Sequence, residues 1–290
     1  MNRVLRLAAT SLLMVAAACS PLGVFDTVAP WDAGASRIAQ SLPYGPLPRQ
    51  SLDVYVPKPK PASAPVLIFF YGGAWSSGSK EEYGFVGAAF AAQGFVTIVP
   101  DYRLFPEVQF PDFLRDSAQA VRWAQQNATA YGGNPRHVVL VGHSAGAYNA
   151  IMLGLDQRFL EAAGVDATAI RAVAGLAGPY DFLPLDDPAT INTFGRAVDL
   201  AATQPVNFAQ ANSPPVFLAT GEDDDRVRPR HTKALESRLQ SVGAKVEAKF
   251  YPDLGHVGIL LALSKPLRRN APVLGDASRF LHARSGSHLK

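Results

Sequence analysis

Six short segments that read as strands constrain the fold most: Val66–Tyr71, Phe95–Val99, His137–Gly142, Arg171–Leu176, Val216–Thr220 and Lys245–Tyr251. Several are continuously apolar rather than alternating, as in Val66-Leu-Ile-Phe-Phe-Tyr71. A strand with one wet face alternates, whereas a strand covered by helices on both faces is apolar throughout. Between the runs lie segments with helical spacing. Glu81–Gln93 is stopped by Gly94, and Asp112–Tyr131, with Phe113, Leu114, Ala118, Val121 and Trp123, is stopped by Gly132-Gly133. Further helices are predicted at Ser144–Leu155, Arg228–Val242 and Asp276–Arg284. Strands alternating with helices at this spacing predict β-α-β units. The expected class is α/β, with a mostly parallel central sheet flanked by helices. Ser51–Val56 alternates, with Leu52, Val54 and Val56 on one face, and is predicted as an edge strand. Asp181–Pro215 interrupts the alternation and is the expected place for a small cap insertion.

The start of the chain differs in kind. Arg3 and Arg6 precede a mostly apolar run from Leu7 to Ala18, the pattern of a secretory signal. That run is shorter than the roughly 20 residues a spanning helix needs. The single cysteine, Cys19, follows Ala16-Ala17-Ala18 directly. This resembles the lipobox of bacterial lipoproteins, although Ala16 stands where Leu is usual. The resemblance implies lipidation of Cys19, export, and attachment to a membrane facing the periplasm or cell exterior. The alternative is a plain secretory signal cut after small residues. The expected division is a signal at 1–18, a tether and N-terminal segment at 19–48, and one domain at 49–290 with its cap at about 181–215. One cysteine allows no internal disulfide, so packing must stabilise the domain. With 27 basic and 24 acidic residues, Arg3 and Arg6 among the basic, the exported body is near neutral and shows no basic stripe suited to nucleic acid.

The chemistry centres on Gly142-His143-Ser144-Ala145-Gly146. Gly-x-Ser-x-Gly is a weak pattern alone, but here it sits between a buried strand and a helix, the context in which it works. A sharp strand-to-helix turn exposes the serine oxygen, and small residues two before and two after avoid clashes. A serine hydroxyl needs a base, and in this arrangement the partners follow in the order Ser, acid, His. His256, in Asp253-Leu254-Gly255-His256, is the one histidine just after a strand end in the C-terminal part of the chain. His137, His143, His231, His282 and His288 are better read as surface or packing residues. The acid lies among Asp223, Asp224 and Asp225, after the strand ending at Thr220. An oxyanion needs backbone donors. Ala145 should supply one, and Gly73 and Ala74, in Tyr71-Gly72-Gly73-Ala74-Trp75, the others.

Together Tyr71–Trp75, Asp101–Leu104, Gly142–Gly146, Asp224 and Gly255-His256 resemble the esterase/lipase branch of the α/β-hydrolase superfamily, the branch with a His-Gly-Gly-Gly-type oxyanion loop. The resemblance covers about Leu52 to Leu281. Its Gly-x-x-Asp-x-x-Val register selects Asp224, with Val227 as the last residue. Tyr71 replaces the usual His, as in isoprenylcysteine methylesterase-like and some bacterial carboxylesterase members, and Ala74 replaces a third Gly. Both keep a backbone amide while reshaping the acyl pocket. Asp101 and Arg103 are expected to form structural ion pairs or loop hydrogen bonds. The resemblance implies an ester hydrolase working through Ser144, His256 and Asp224, with no cofactor and a small-molecule ester as partner. An amidase, formamidase or peptidase on the same triad, or a silent scaffold lipoprotein, are the rivals. The chain carries no phosphate-binding or dinucleotide glycine motif and no metal-ligand spacing. Oligomeric state is not readable from it.

Overall fold

The six segments become neighbouring strands of one sheet. A computed structural model describes residues 20–285, and among these eight strands pair in the order β1-β2-β4-β3-β5-β6-β7-β8. They are β1 (Ala35–Pro43), β2 (Ser51–Pro57), β3 (Ala64–Phe70), β4 (Val96–Pro100), β5 (Gly133–His143), β6 (Ile170–Leu176), β7 (Val216–Gly221) and β8 (Val246–Tyr251). β3 to β8 run parallel, while β1 and β2 join antiparallel at one side. β3, β4 and β7 are buried along their whole length, as their continuous apolar runs require.

The helices are α1 (Pro21–Val28), α2 (Gly84–Ala92), α3 (Asp112–Asn127), α4 (Ala145–Leu155), α5 (Arg158–Ala162), α6 (Pro188–Phe194), α7 (Arg230–Ser241), α8 (His256–Leu261) and α9 (Val273–Ser285). Successive side chains of β3 feed opposite cores. Leu67 and Phe69 pack with Phe85, Val86 and Phe90 of α2 and with Phe280 and Leu281 of α9. Val66, Ile68 and Phe70 pack with Val121 of α3, Ile151 of α4 and Leu235 of α7. The result is the α/β-hydrolase fold, with a sheet between two helical layers.

The structure differs from the sequence-based expectation mainly at the N-terminal side. The segment expected to hold a tether and an N-terminal segment lying on the domain contributes α1 and β1, and β1 is the sheet edge on that side. Ser51–Val56 is therefore not an edge strand: β2 pairs with both β1 and β4. Two helices begin or end in a tighter turn. Lys80–Tyr83 is 3-10 before α2, and Ala128–Tyr131 is 3-10 after α3. The segment 181–215, expected to form a cap, contains α6 and two 3-10 turns, Ala201–Thr203 and Pro205–Phe208. It is tied down by Phe110 N to Thr193 O at 3.0 Å and by Tyr148 Oη to Thr203 O at 2.8 Å. Residues 1–18 and Cys19 lie outside the described residues. Among the described residues, no helix is long and apolar enough to cross a membrane.

Candidate active site

Ser144 stands at the turn from β5 into α4, with φ 55° and ψ −123°. A non-glycine residue held there costs on the order of 1–3 kcal/mol, which the surrounding packing must offset. The turn is tight enough to exclude side chains on both flanks. A Cβ on Gly142 would lie 2.1 Å from the Gly146 carbonyl oxygen, and one on Gly146 would lie 2.0 Å from that of Phe70. The Ser144 amide donates to Leu176 O at 2.9 Å, tying the turn to β6.

His256 opens α8, just beyond the turn that follows β8. Its Nε2 is 2.8 Å from Ser144 Oγ and its Nδ1 is 2.8 Å from Asp224 Oδ2. A carboxylate only accepts, so Nδ1 carries the hydrogen and Nε2 is left to accept from the serine hydroxyl. Asp224 is 3% exposed, whereas Asp223 and Asp225 face solvent. Asp224 Oδ1 also accepts from the amides of Arg226 at 3.0 Å and Val227 at 2.8 Å. These bonds hold the carboxylate toward the imidazole. Of the three consecutive aspartates, the structure brings Asp224 alone to His256.

The glycine loop lies directly against the serine. A Cβ on Gly72 would meet Ser144 Cβ at 2.9 Å. Gly73, Ala74 and Trp75 all have positive φ, at 128°, 51° and 56°. This turns their backbone away from a normal ladder. The amides of Gly73, Ala74 and Ala145 donate to no acceptor among the described residues, so all three remain free for an oxyanion.

Several side chains fix this loop, and most could not be singled out by sequence reasoning. Trp75 Nε1 donates to Asn149 Oδ1 at 3.1 Å. Tyr71 Oη donates to Asp101 Oδ1 at 2.8 Å and accepts from Arg49 Nη2 at 2.7 Å. Its ring stacks on Tyr102, with centroids 4.8 Å apart. Burial pushes the Tyr71 phenol well above its ordinary range, so it stays a neutral donor. Asp101 also accepts from the Lys80 amide at 2.8 Å, and Arg103 pairs with Asp116 through Nε at 2.8 Å. Asp101 and Arg103 thus brace loops, each with its own partner. Asp116 could have been flagged as a charge on the apolar stripe of α3, whereas Arg49 stood in a segment with no period.

His143, read as a packing residue, is buried behind His256. Its Nε2 donates to the His256 carbonyl at 2.9 Å, and the two rings lie 4.9 Å apart. Desolvation lowers its pKa to about 3, so it is neutral near pH 7. It holds the backbone of His256 without competing for the serine proton.

An aromatic wall stands behind Trp75. Phe194 of the cap packs edge-on against Trp75 at 4.8 Å and lies 5.3 Å from Tyr148 and 5.1 Å from Phe182. Leu185 and Phe208 are only partly buried against the core, and the Arg158 guanidinium lies over the Phe208 ring. A separate cleft of about 530 Å³, lined by Phe110, Arg115, Asp156, Arg158 and Phe159, contains no residue of the Ser144–His256–Asp224 array. No group of three or more potential metal ligands occurs among the described residues.

Residues 52–239 match the model of the BD-FAE family. The chain belongs to that family. Proteins similar to this BD-FAE member include named esterases. It is 29% identical over 277 residues to isoprenylcysteine alpha-carbonyl methylesterase ICME of Arabidopsis thaliana, covering 88% of this chain and 64% of that protein. It is 31% identical over 233 residues to esterase LipC of Mycobacterium tuberculosis, covering 73% of this chain and 58% of that one. The BD-FAE chain thus spans about three-fifths of the length of these relatives. Its fold superposes on esterase B from Lactobacillus rhamnosis with a TM-score of 0.81 at 20% identity, covering 97% of this chain and 95% of that one. A truncated carbohydrate esterase from gut microbiota gives 0.78 at 20% identity, covering 89% and 100%.

Proposed function

We propose that this BD-FAE protein is a serine hydrolase of carboxylic esters, acting on small to medium acyl or aryl groups. One observation carries the reading: Ser144 Oγ, His256 and Asp224 form a continuous hydrogen-bonded relay, 2.8 Å at each step. In the proposed reaction His256 Nε2 takes the serine proton as Oγ attacks the ester carbonyl. The new C–O bond places negative charge on the carbonyl oxygen, which the Gly73, Ala74 and Ala145 amides receive. As the intermediate collapses, His256 returns the proton to the departing alcohol, leaving Ser144 acylated. Water then repeats the sequence and releases the acid, while Asp224 supports the imidazolium.

The array itself does not separate esters from amides. The esterase names of the relatives favour the ester. The aromatic wall of Trp75, Tyr148, Phe182 and Phe194 supports a compact apolar acyl pocket. We expect Ser144→Ala to abolish hydrolysis of p-nitrophenyl acetate and butyrate and labelling by a fluorophosphonate, with an unchanged circular dichroism spectrum. Turnover retained in that variant would refute the assignment. We also propose that Cys19 is lipidated after removal of residues 1–18, which tethers the domain outside the cytoplasm. Mass spectrometry of the mature N-terminal peptide tests this: a diacylglyceryl cysteine is expected, and an unmodified N-terminus excludes it.

A further inference from the structure

Exposed large apolar side chains gather at one end of this molecule. Among the described residues they are Val24, Val28, Ile38, Leu47, Ile191, Val198, Leu200 and Val257. All but Ile38, which sits mid-way along β1, belong to the end of the sheet where the parallel strands finish and Ser144 stands. Val257 follows His256 directly. Ile191 is in α6, and Val198 and Leu200 follow it in the cap, whose Phe194 packs on Trp75. Leu47 is in the turn after the Pro43–Ser51 pair of β1 and β2, and Ser51 O accepts from the Asp101 amide just past β4. Val24 and Val28 are one turn apart on α1. That helix lies at the same end, because Asp26 Oδ1 accepts from the Phe85 amide in the first turn of α2 and Gly23 lies beside Glu82. Single exposed apolar residues need no explanation, but a set converging on one end does.

A second observation is where the chain enters. The Ser20 hydroxyl accepts from the Gly23 amide at 3.0 Å and caps α1. Ser20, the first described residue, therefore lies at the active-site end. Only after α1 does the chain cross to the far end, where Gly34 O accepts from the Lys58 amide.

We propose that this end rests on the headgroup region of a phospholipid bilayer, with the mouth of the Ser144 site opening onto the lipid surface. The proposal rests on the reading of Cys19 as a lipid anchor. An anchor at one residue holds a domain at the membrane without fixing which face meets it, whereas apolar side chains buried at the headgroup boundary do fix it. The seven residues supply such side chains at the end where Ser20 lies. The occupant is lipid, and the substrate reaches the site from that surface.

The test uses the full chain with single substitutions Val28→Cys, Val198→Cys or Lys60→Cys, each carrying an environment-sensitive NBD label, mixed with vesicles of phosphatidylethanolamine and phosphatidylglycerol. Lys60 is exposed in the loop between β2 and β3, at the opposite end. Unchanged far-ultraviolet circular dichroism checks folding. The expected result is a blue shift of emission at 28 and 198 and none at 60. A shift at 60, or none at 28 and 198, overturns the orientation. A shift at 198 that follows protein concentration without vesicles assigns the face to a second copy instead, and also overturns it. Adding Cys19→Ser separates the anchor from the orientation. Loss of vesicle-bound protein supports the anchor, and an undiminished bound fraction refutes it. The labels report position without turnover, so a failure of the esterase reading would be seen separately.

Discussion

Asp223, Asp224 and Asp225 have the same side chain, and one turn separates their fates. The turn after β7 buries Asp224 and gives its Oδ1 two backbone donors, so Oδ2 is presented to His256 at 2.8 Å, while its neighbours face water. An amide at 224 would still fit. However, its NH₂ or carbonyl group could no longer fix the imidazole with Nδ1 protonated while also stabilising a positive charge on it. We expect Asp224→Asn to lower kcat on p-nitrophenyl butyrate by about 10³–10⁴-fold, and Asp223→Asn and Asp225→Asn to stay within a few-fold of the parent. Steady-state kinetics on the three variants decides it. If Asp225→Asn carried the loss instead, the proposed role of Asp224 would fail. Ser144 and His256 are legible because each sits at a strand end, where a chain-order rule applies; the same rule narrows the acid to Asp223–Asp225, and the register of the family resemblance selects Asp224. His143 was not legible in its actual role: its bond to the His256 carbonyl depends on the distant turn before α8, and nothing adjacent in sequence announces it.

At the scale of elements, the cap and the glycine loop meet through rings rather than backbone. Phe194 is fully buried, and its ring contacts Trp75, Phe182, Tyr148 and Phe113. Removing it should open the acyl side of the site. We expect Phe194→Ala to cost about 3–5 kcal/mol of stability and to move the preferred p-nitrophenyl ester from acetyl or butyryl toward hexanoyl or octanoyl. A chain-length series from acetyl to palmitoyl on both proteins measures this. An unchanged profile would place the acyl group elsewhere. The buried strands and long helices were readable because two-sided burial leaves a continuous apolar run and one-sided burial a 3.6 period. β1 was not readable for a physical reason. It is an edge strand with mostly exposed positions, and its pairing with β2 slips between Arg37 and Ala39 and again between Ala39 and Leu42. Each slip breaks the two-residue alternation by which a strand is recognised. β8 lies at the other edge and is half-buried. In it Val246, Ala248 and Phe250 keep that alternation.

Among the described residues, burial lowers the pKa of His143, His231 and His282, which ties stability to pH. Desolvation lowers the pKa of His143 from 6.5 to about 3 and, with the nearby Arg230 charge contributing, that of His231 from 6.5 to about 4. In the unfolded chain both take up a proton near 6.5, whereas in the folded protein neither does until far lower pH. Between those limits the unfolded state binds more protons, so stability is complete above about pH 6.5 and falls as pH falls. At 1.36 kcal/mol per pH unit, each histidine removes roughly 2 kcal/mol at pH 5. Asp26 and Asp101 act in the opposite direction, because burial raises their carboxyl pKa and the folded state then gains protons on acidification. The two histidine contributions build up through the whole window, because their ordinary value of 6.5 lies inside it and their folded values lie below it. We expect the melting temperature to drop between pH 7 and pH 5. In His143→Gln, which keeps a donor for the His256 carbonyl, that drop should be smaller by the share of one histidine, and His231→Gln should reduce it similarly. Thermal melts of the three proteins across this range test the account. Parallel curves for parent and variants would show that acid sensitivity arises elsewhere.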